Sequence, residues 1–385
     1  MRSSRRSKGS SMPADRIAQV GLWLIESPIK SARSHGSGHL RQAVRRVILA
    51  VRTADGLTGW GEAAPWAPFG HTAETVLAAL RHVLLPALIG GDATRIGLRM
   101  EDCAHAIAGH SDAKAAIEMA LWDIAGKRVG APVSALFGGL VRDTIPLSFS
   151  IANPDFAADV ARAQEMLAAG HRIFKVKTGF LPHAEDIRRL AALREALPGM
   201  DLRVDYNQGL APHDALRQLR DVEQFAPTFI EQPVPRGQEP ALARLAAALD
   251  TPILADESVI SPEEMLRAVR EGFADSVSIK LMKSGGLLAA RAIDAIAAAA
   301  GVPSYGGTLW EGGIALAAAA HLLGTLPNCS LGCEFYMPTY ALVRDVVPDV
   351  LLASGGFVHV PTGPGLGVAV DAAEIATQAV ETLIV

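Results

Sequence analysis

IFKVKTG (173–179), LRVDYNQ (202–208), TFIEQPV (228–234), PILADES (252–258) and SVSIKLM (276–282) make up the stretch whose rhythm decides the fold. Each is a short apolar run carrying a charged residue near its end, and Ala/Leu/Arg-rich segments of helical character lie between them. From Lys177 to Asp205, Glu231, Asp256 and Lys280 the successive intervals are 28, 26, 25 and 24 residues, about one strand plus one helix each. Outward from this stretch, IPLSFSIA (145–152) precedes it, and VPSYGGT (302–308) and SLGCEFY (330–336) follow. That makes eight candidate strands, the count of a closed parallel barrel. An open doubly wound sheet would carry a Gly-rich phosphate turn after its first strand, and none is present there. The expected fold class is α/β, a (β/α)7–8 TIM-like barrel.

The rest of the chain reads as a cap on that barrel. QVGLWLIES (19–27), AVRRVILAVRTADG (43–56) and LTGWGEAAP (57–65) have the alternation and the Asp-Gly turn of an antiparallel meander. From Thr72 the period turns helical, as in AKAAIEMALWDIAGKRVG (113–130), which Gly130 stops. We therefore expect residues 1–14 as a disordered tail, with Met12 an alternative start to Met1. An α+β capping domain is expected over 15–140 and the barrel over 141–350. A C-terminal segment, 351–385, is expected to return to the capping domain.

Composition narrows the function classes. Half of the 385 residues are apolar and the formal net charge is -4, with a pI of about 6.3. No basic field exists to attract a phosphate backbone, so nucleic acid is not an expected partner. Three cysteines without a CxxC spacing fit a reducing cytoplasm. Charge-free apolar runs fall short of the roughly 18–20 residues that span a bilayer, so no membrane role is expected. The basic opening lacks the apolar core of a signal peptide.

In a parallel barrel the strand ends share one face, so Lys175, Lys177, Asp205, Glu231, Asp256 with Glu257, Lys280 and Glu334 should converge. A lone strand-end carboxylate can equally well cap the following helix or pair with a surface arginine. Three on successive strands, Asp205, Glu231 and Asp256, cannot all stay ionised in a confined site without a cation. With oxygen ligands alone, Mg²⁺ is favoured over zinc, and Mn²⁺ is the alternative. Lys175 and Lys177, two apart, face the same side of a strand. Paired ammonium groups should depress one another and leave an amine able to act as a base, with Lys280 on the far side of a substrate. Asn207, Gln208, Gln232 and Glu257 are candidate outer neighbours that orient these groups. Such parts suit removal of a proton next to a carboxylate, with the developing charge held by the cation. A non-catalytic barrel scaffold has no physical reason to keep these costly charges together.

The motifs KVK (175–177), DYNQ from Asp205, EQP from Glu231, ADES from Ala255 and SIKLMKSGG from Ser278 resemble the enolase superfamily, and within it the muconate lactonizing enzyme subgroup of the mandelate racemase/muconate lactonizing enzyme family. AAIEMALWDIAGKRVGAPVSALFGG (115–139) is similar to that family's junction between cap and barrel. The resemblance implies Mg²⁺ held by Asp205, Glu231 and Asp256, acid/base roles for Lys177 and Lys280, and support from Lys175. It also implies specificity loops at SARSHGSGHL (31–40) and APWAPFGHT (64–72), a small carboxylate substrate, and a homo-oligomer. The segment 305–342 looks like the cis-3-hydroxy-L-proline dehydratases and the proline-betaine epimerases, which implies dehydration to Δ1-pyrroline-2-carboxylate. The alternative is an isomerase, either a muconate-type cycloisomerase or an epimerase of proline betaine, an amino acid or a dipeptide. A cationic ring would need anionic or aromatic neighbours, for which Trp310, Glu311, Glu334 and Tyr336 are the candidates.

Overall fold

The computed structural model describes residues 14–348 and 353–385. The expected tail therefore lies almost wholly outside the described residues. The N-terminal strands β1 (Ile17–Pro28), β2 (Arg33–His35), β3 (Gly38–Leu40), β4 (Ala43–Thr53) and β5 (Thr58–Ala63) come first. β1, β4 and β5 form an antiparallel meander, with Leu22 opposite Leu49 and Val47 opposite Ala63. β2 and β3 form a separate short hairpin. The helix Ser111–Val129 lies across β5. A Cβ on Gly61 would stand 1.9 Å from the carbonyl oxygen of Ala116, so the missing side chain is what lets helix and strand backbones touch.

The barrel follows: a short β6 (Thr144–Pro146), then β7 (Ser148–Ile151), β8 (Ile173–Lys177), β9 (Asp201–Asp205), β10 (Ile230–Glu231), β11 (Ile253–Ala255), β12 (Ser276–Ile279) and β13 (Ser304–Gly306). The sheet β7 to β13 is seven-stranded, runs in sequence order, and is parallel throughout. SLGCEFY, expected as an eighth strand, is not one. Cys333 alone bridges in parallel sense to Leu147 on one edge and Gly306 on the other, closing the ring with a single residue. Near the floor of the barrel Phe229, Leu254 and Tyr305 pack as a separate small core. One step up each strand, the same inward face carries Glu231 and Asp256. The chain then forms β14 (Phe357–His359) against β6 and ends in β15 (Ala379–Ile384), which pairs with β1, Leu22 opposite Leu383.

Among the buried polar contacts that fasten cap to barrel, two centre on Glu62 and Glu118. Arg46 of β4, fully buried, donates to Glu62 Oε1 at 2.6 Å and to Asp345 Oδ1 at 2.9 Å. Those carboxylates also accept from the first backbone N–H groups of the helix Gly313–Gly324: Glu62 from Gly312 at 2.6 Å and Ala315 at 3.0 Å, Asp345 from Gly313 at 2.6 Å. The anions thus occupy the positive end of the helix dipole.

The second contact is Glu118, which accepts from Trp122 Nε1 and from the Leu288 N–H, both at 2.9 Å. Burial pushes its carboxyl up to about 7, which those hydrogen bonds only partly offset. An unfolded glutamate releases its proton near 4.5, so the folded state holds the proton more tightly. The associated stability is complete below pH 4.5 and is lost as pH rises through about 7, a difference of about 3 kcal/mol. Glu118→Gln, which keeps an acceptor without the charge, is expected to raise the unfolding midpoint at pH 8 and leave it nearly unchanged at pH 4.

Candidate active site

β8, β9 and β10 are in register so that Lys177 lies beside Asp205 and Asp205 beside Glu231. Glu231 pairs with Leu254, so Asp256 projects two residues further along β11, just past its end. Lys280 likewise follows the end of β12. Counting the bridge at Cys333 as an eighth position, β8 and β12 lie four positions apart, so Lys177 and Lys280 stand on opposite sides of the mouth.

All of these groups are buried. Lys175 Nζ reaches Glu334 Oε2 at 2.5 Å, Glu231 Oε2 at 2.9 Å and Asp205 Oδ2 at 3.1 Å. Lys177 Nζ donates to Asp205 Oδ2 at 2.5 Å. Lys280 Nζ donates to Asp256 Oδ2 at 2.5 Å, and Lys283 Nζ to Asp256 Oδ1 at 2.9 Å. At Lys175 the neighbouring carboxylates, not the amine of Lys177, decide the direction, so the depression expected of that pair does not occur there. Burial acts to lower Lys175, but Glu231, Glu334 and Asp205 outweigh it and hold it well above the ordinary value. Burial likewise opposes, and Asp256 first among the acids enforces, the raised value of Lys280. Lys283, fully buried, is lowered because burial exceeds the pull of Asp256. For Asp205, burial works upward, yet Lys177 and Lys175 hold it at about 2. Glu231 is pushed up to about 7 by burial and by Asp205. Burial and Asp256 push Glu257 to about 8.

Among the described residues no three acidic, histidine or cysteine side chains stand grouped closely enough to hold a metal ion. The ammonium groups just described bond the carboxylates in this arrangement. In kind, the donor set still fits a hard divalent cation. Asp205, Glu231 and Asp256 offer only oxygens, Glu231 Oε1 is buried with no hydrogen-bond partner, and both oxygens of neighbouring Glu257 are equally unpaired.

The residues around this centre are held by strained loops. Asn207, Gln208 and Gln232 all have positive φ, at 42°, 69° and 33°, conformations that non-glycine residues keep only under surrounding constraint. At Gln232 the constraint is visible. Its Nε2 donates to Val234 O and Ser258 Oγ, both at 2.9 Å, and its Oε1 accepts from the Asp256 N–H at 3.0 Å and the Ser258 N–H at 3.1 Å. The side chain thereby clips the loop after β10 to the loop that presents Asp256. Gln232→Ala is expected to weaken divalent-cation binding by about 10- to 100-fold, read by titration with Mg²⁺. Asn207 donates its own N–H to Asp205 Oδ1 at 2.9 Å, whereas Gln208 accepts from the Arg236 N–H, away from the centre.

Above the centre is a pocket lined by Lys177, Asn207, Lys280, Glu334 and a wall of larger side chains. Trp310 and Tyr336 belong to that wall. Glu311 does not line it. Its carboxylate turns back to accept from Thr308 Oγ1 and the Leu309 N–H, and burial pushes it up to about 7. Five residues at the site were not singled out in the sequence. Lys283 sits three positions after Lys280, one helical turn on, inside a motif already quoted. His35, Trp66, Thr308 and Leu309 line the pocket, the first two from the cap loops 31–40 and 64–72. No spacing rule distinguishes such loop residues before the loops are folded.

Residues 20–138 match the model of the mandelate racemase / muconate lactonizing enzyme N-terminal domain, and residues 158–375 match that of the enolase C-terminal domain-like family. The chain is 35% identical over 343 residues to muconate cycloisomerase 1 of Pseudomonas putida, covering 88% of this chain and 91% of that one. It is 34% identical to the L-Ala-D/L-Glu epimerase of Bacillus subtilis, over 84% of this chain and 88% of the relative. The crystal structure of a muconate cycloisomerase from Azorhizobium caulinodans superposes with a TM-score of 0.83 at 49% identity, over 95% of this chain and 98% of that one. No helix among the described residues is long and apolar enough to cross a membrane. With both domains matched and the charged residues gathered at one barrel mouth, the chain belongs to the mandelate racemase/muconate lactonizing enzyme family and is an enzyme of the enolase superfamily.

Proposed function

We propose that this enzyme is an isomerase of the muconate cycloisomerase type, adding one carboxylate of a small unsaturated dicarboxylate across a double bond conjugated to the other. The observation that carries the reading is that Lys177 and Lys280 enter one pocket from opposite sides, above buried carboxylates. The relatives named above are isomerases, which supports this reading over loss of water from cis-3-hydroxy-L-proline. Leu309, Trp66 and Trp310 in the pocket wall suit a flat diene. The epimerase relative supports a second reading, since two opposed lysines also suit removal of a proton from one face and its return to the other.

The chemistry balances within the substrate. An oxygen of the far carboxylate bonds to the carbon β to the reacting carboxylate, and the electron pair moves onto that carboxylate. A lysine ammonium then protonates the α carbon, and in the reverse direction the amine removes that proton. Mg²⁺, the general cofactor of the superfamily, would be held by Asp205, Glu231 and Asp256 and supply positive charge against the reacting carboxylate; Mn²⁺ is the alternative. Lys175, kept protonated by its acidic neighbours, adds a fixed positive charge beside Glu231 and Glu334. The three cysteines, all buried and unpaired, support a reducing, cytoplasmic setting.

The test is incubation of the protein and Mg²⁺ with cis,cis-muconate in D₂O. Loss of the diene absorbance with one deuterium at the exocyclic carbon α to the product's free carboxylate is expected. No reaction with muconate, together with deuterium exchange into a dipeptide or proline betaine, would establish the epimerase reading instead. Release of water from cis-3-hydroxy-L-proline would establish dehydration.

A further inference from the structure

His35 sits at the end of β2, in the hairpin that the cap lowers over the barrel mouth, and is 4% exposed. Its ring stands edge-on to Trp310, centroids 5.3 Å apart, and to Trp66 at 5.7 Å, while those two indoles are themselves 5.7 Å apart. The three rings face Lys177 and Lys280 across the same pocket. Neither His35 ring nitrogen meets hydrogen-bond geometry with any group, although Asn207 stands beside the ring with its own Oδ1 unpaired. A buried donor or acceptor without a partner costs about 1–3 kcal/mol, and such groups in native proteins ordinarily find one. Here the open direction is the pocket.

The placement is enforced by the residue that follows. A Cβ on Gly36 would stand 1.9 Å from the carbonyl oxygen of Tyr206. The hairpin tip therefore rests directly on the loop carrying Asn207, and the imidazole has little freedom to swing out. Burial, then the charges of Lys177 and Arg33, hold His35 well below its ordinary value, so it is a neutral imidazole with one N–H to give. Among the described residues no arginine lines the pocket, and the lysines that line it are Lys177 and Lys280.

We propose that His35 is a substrate-binding residue whose ring N–H donates to the substrate's second carboxylate, selecting dicarboxylates over monocarboxylates. The proposal rests on the dicarboxylate reading above and adds the residue that recognises the second acid group. In the ring-closing direction that same carboxylate supplies the attacking oxygen, so His35 would also aim it.

Calorimetry on the Mg²⁺-loaded full chain tests this with two unreactive probes of equal length, adipate and hexanoate, which differ in the far carboxylate. Wild type is expected to bind adipate more tightly than hexanoate. His35→Leu should weaken adipate by about 10- to 100-fold, the loss of one hydrogen bond to a charged group, and leave hexanoate unchanged. His35→Asn, which restores an N–H, should recover part of the loss. Equal weakening of both probes, no weakening of adipate, or a wild type without preference would each overturn the proposal. Turnover of cis,cis-muconate by wild type is read separately, so a failure of the cycloisomerase reading is distinguishable from a failure of His35 to recognise the far carboxylate.

Discussion

Lys177→Met and Lys280→Met are each expected to lower turnover by about 10²- to 10⁴-fold, the usual contribution of a positioned acid or base, while leaving the fold intact. The geometry separates these lysines from Lys175. When Lys177 is removed, Asp205 keeps Lys175 at 3.1 Å. When Lys280 is removed, Asp256 keeps Lys283 at 2.9 Å. Neither carboxylate is stranded, so melting temperatures should stay near wild type. Deuterium exchange at the substrate α carbon then assigns the faces: the variant that blocks exchange identifies the lysine that moves the proton. Retention of full turnover and full exchange in both variants would remove the lysines from the chemistry. Lys175→Met supplies the contrast, because it strips Glu231 and Glu334 of their shared ammonium and should destabilise the metal-free protein.

The largest stability effect is expected at Arg46→Met. The guanidinium is fully buried between Glu62 and Asp345, and its removal leaves two buried carboxylates facing one another. Breaking such a pair from one side costs about 3–5 kcal/mol, which denaturant unfolding would register directly. Because Glu62 and Asp345 also cap the helix Gly313–Gly324, the damage should reach the adjoining loop 308–312 and Trp310. A variant with an unchanged unfolding midpoint would mean that the helix backbone alone neutralises the two acids. The double change Arg46→Met with Glu62→Gln removes one orphaned charge and is expected to recover part of the loss.

The barrel and its charged mouth were legible because both depend on local spacing. An inward side chain recurs every second residue along a strand, so KVK, and the step from Arg203 to Asp205, report their own orientation. The repeat of about 25 residues then reports that the strands are parallel and share one carboxyl-terminal face. The same local rules misjudge places where neighbours override propensity. SLGCEFY has the composition of a strand, but the closing position of this barrel keeps only the bridge at Cys333. Glu311 reads as a carboxylate beside an aromatic residue, but unpaired N–H and hydroxyl groups in its own loop claim it.

By itself, then, the sequence determined the meander, the succession of strands and helices, and the set of lysines and carboxylates at the barrel mouth, since periodicity along one chain encodes all of these. Only the tertiary structure decided which cation holds which carboxylate, that Lys283 shares Asp256, and that His35 and Trp66 reach the pocket from the cap. Those contacts join residues tens to hundreds of positions apart through loops, where no repeat relates one end of a contact to the other. The affinities of buried charges depend on every neighbour that packing brings within a few ångströms.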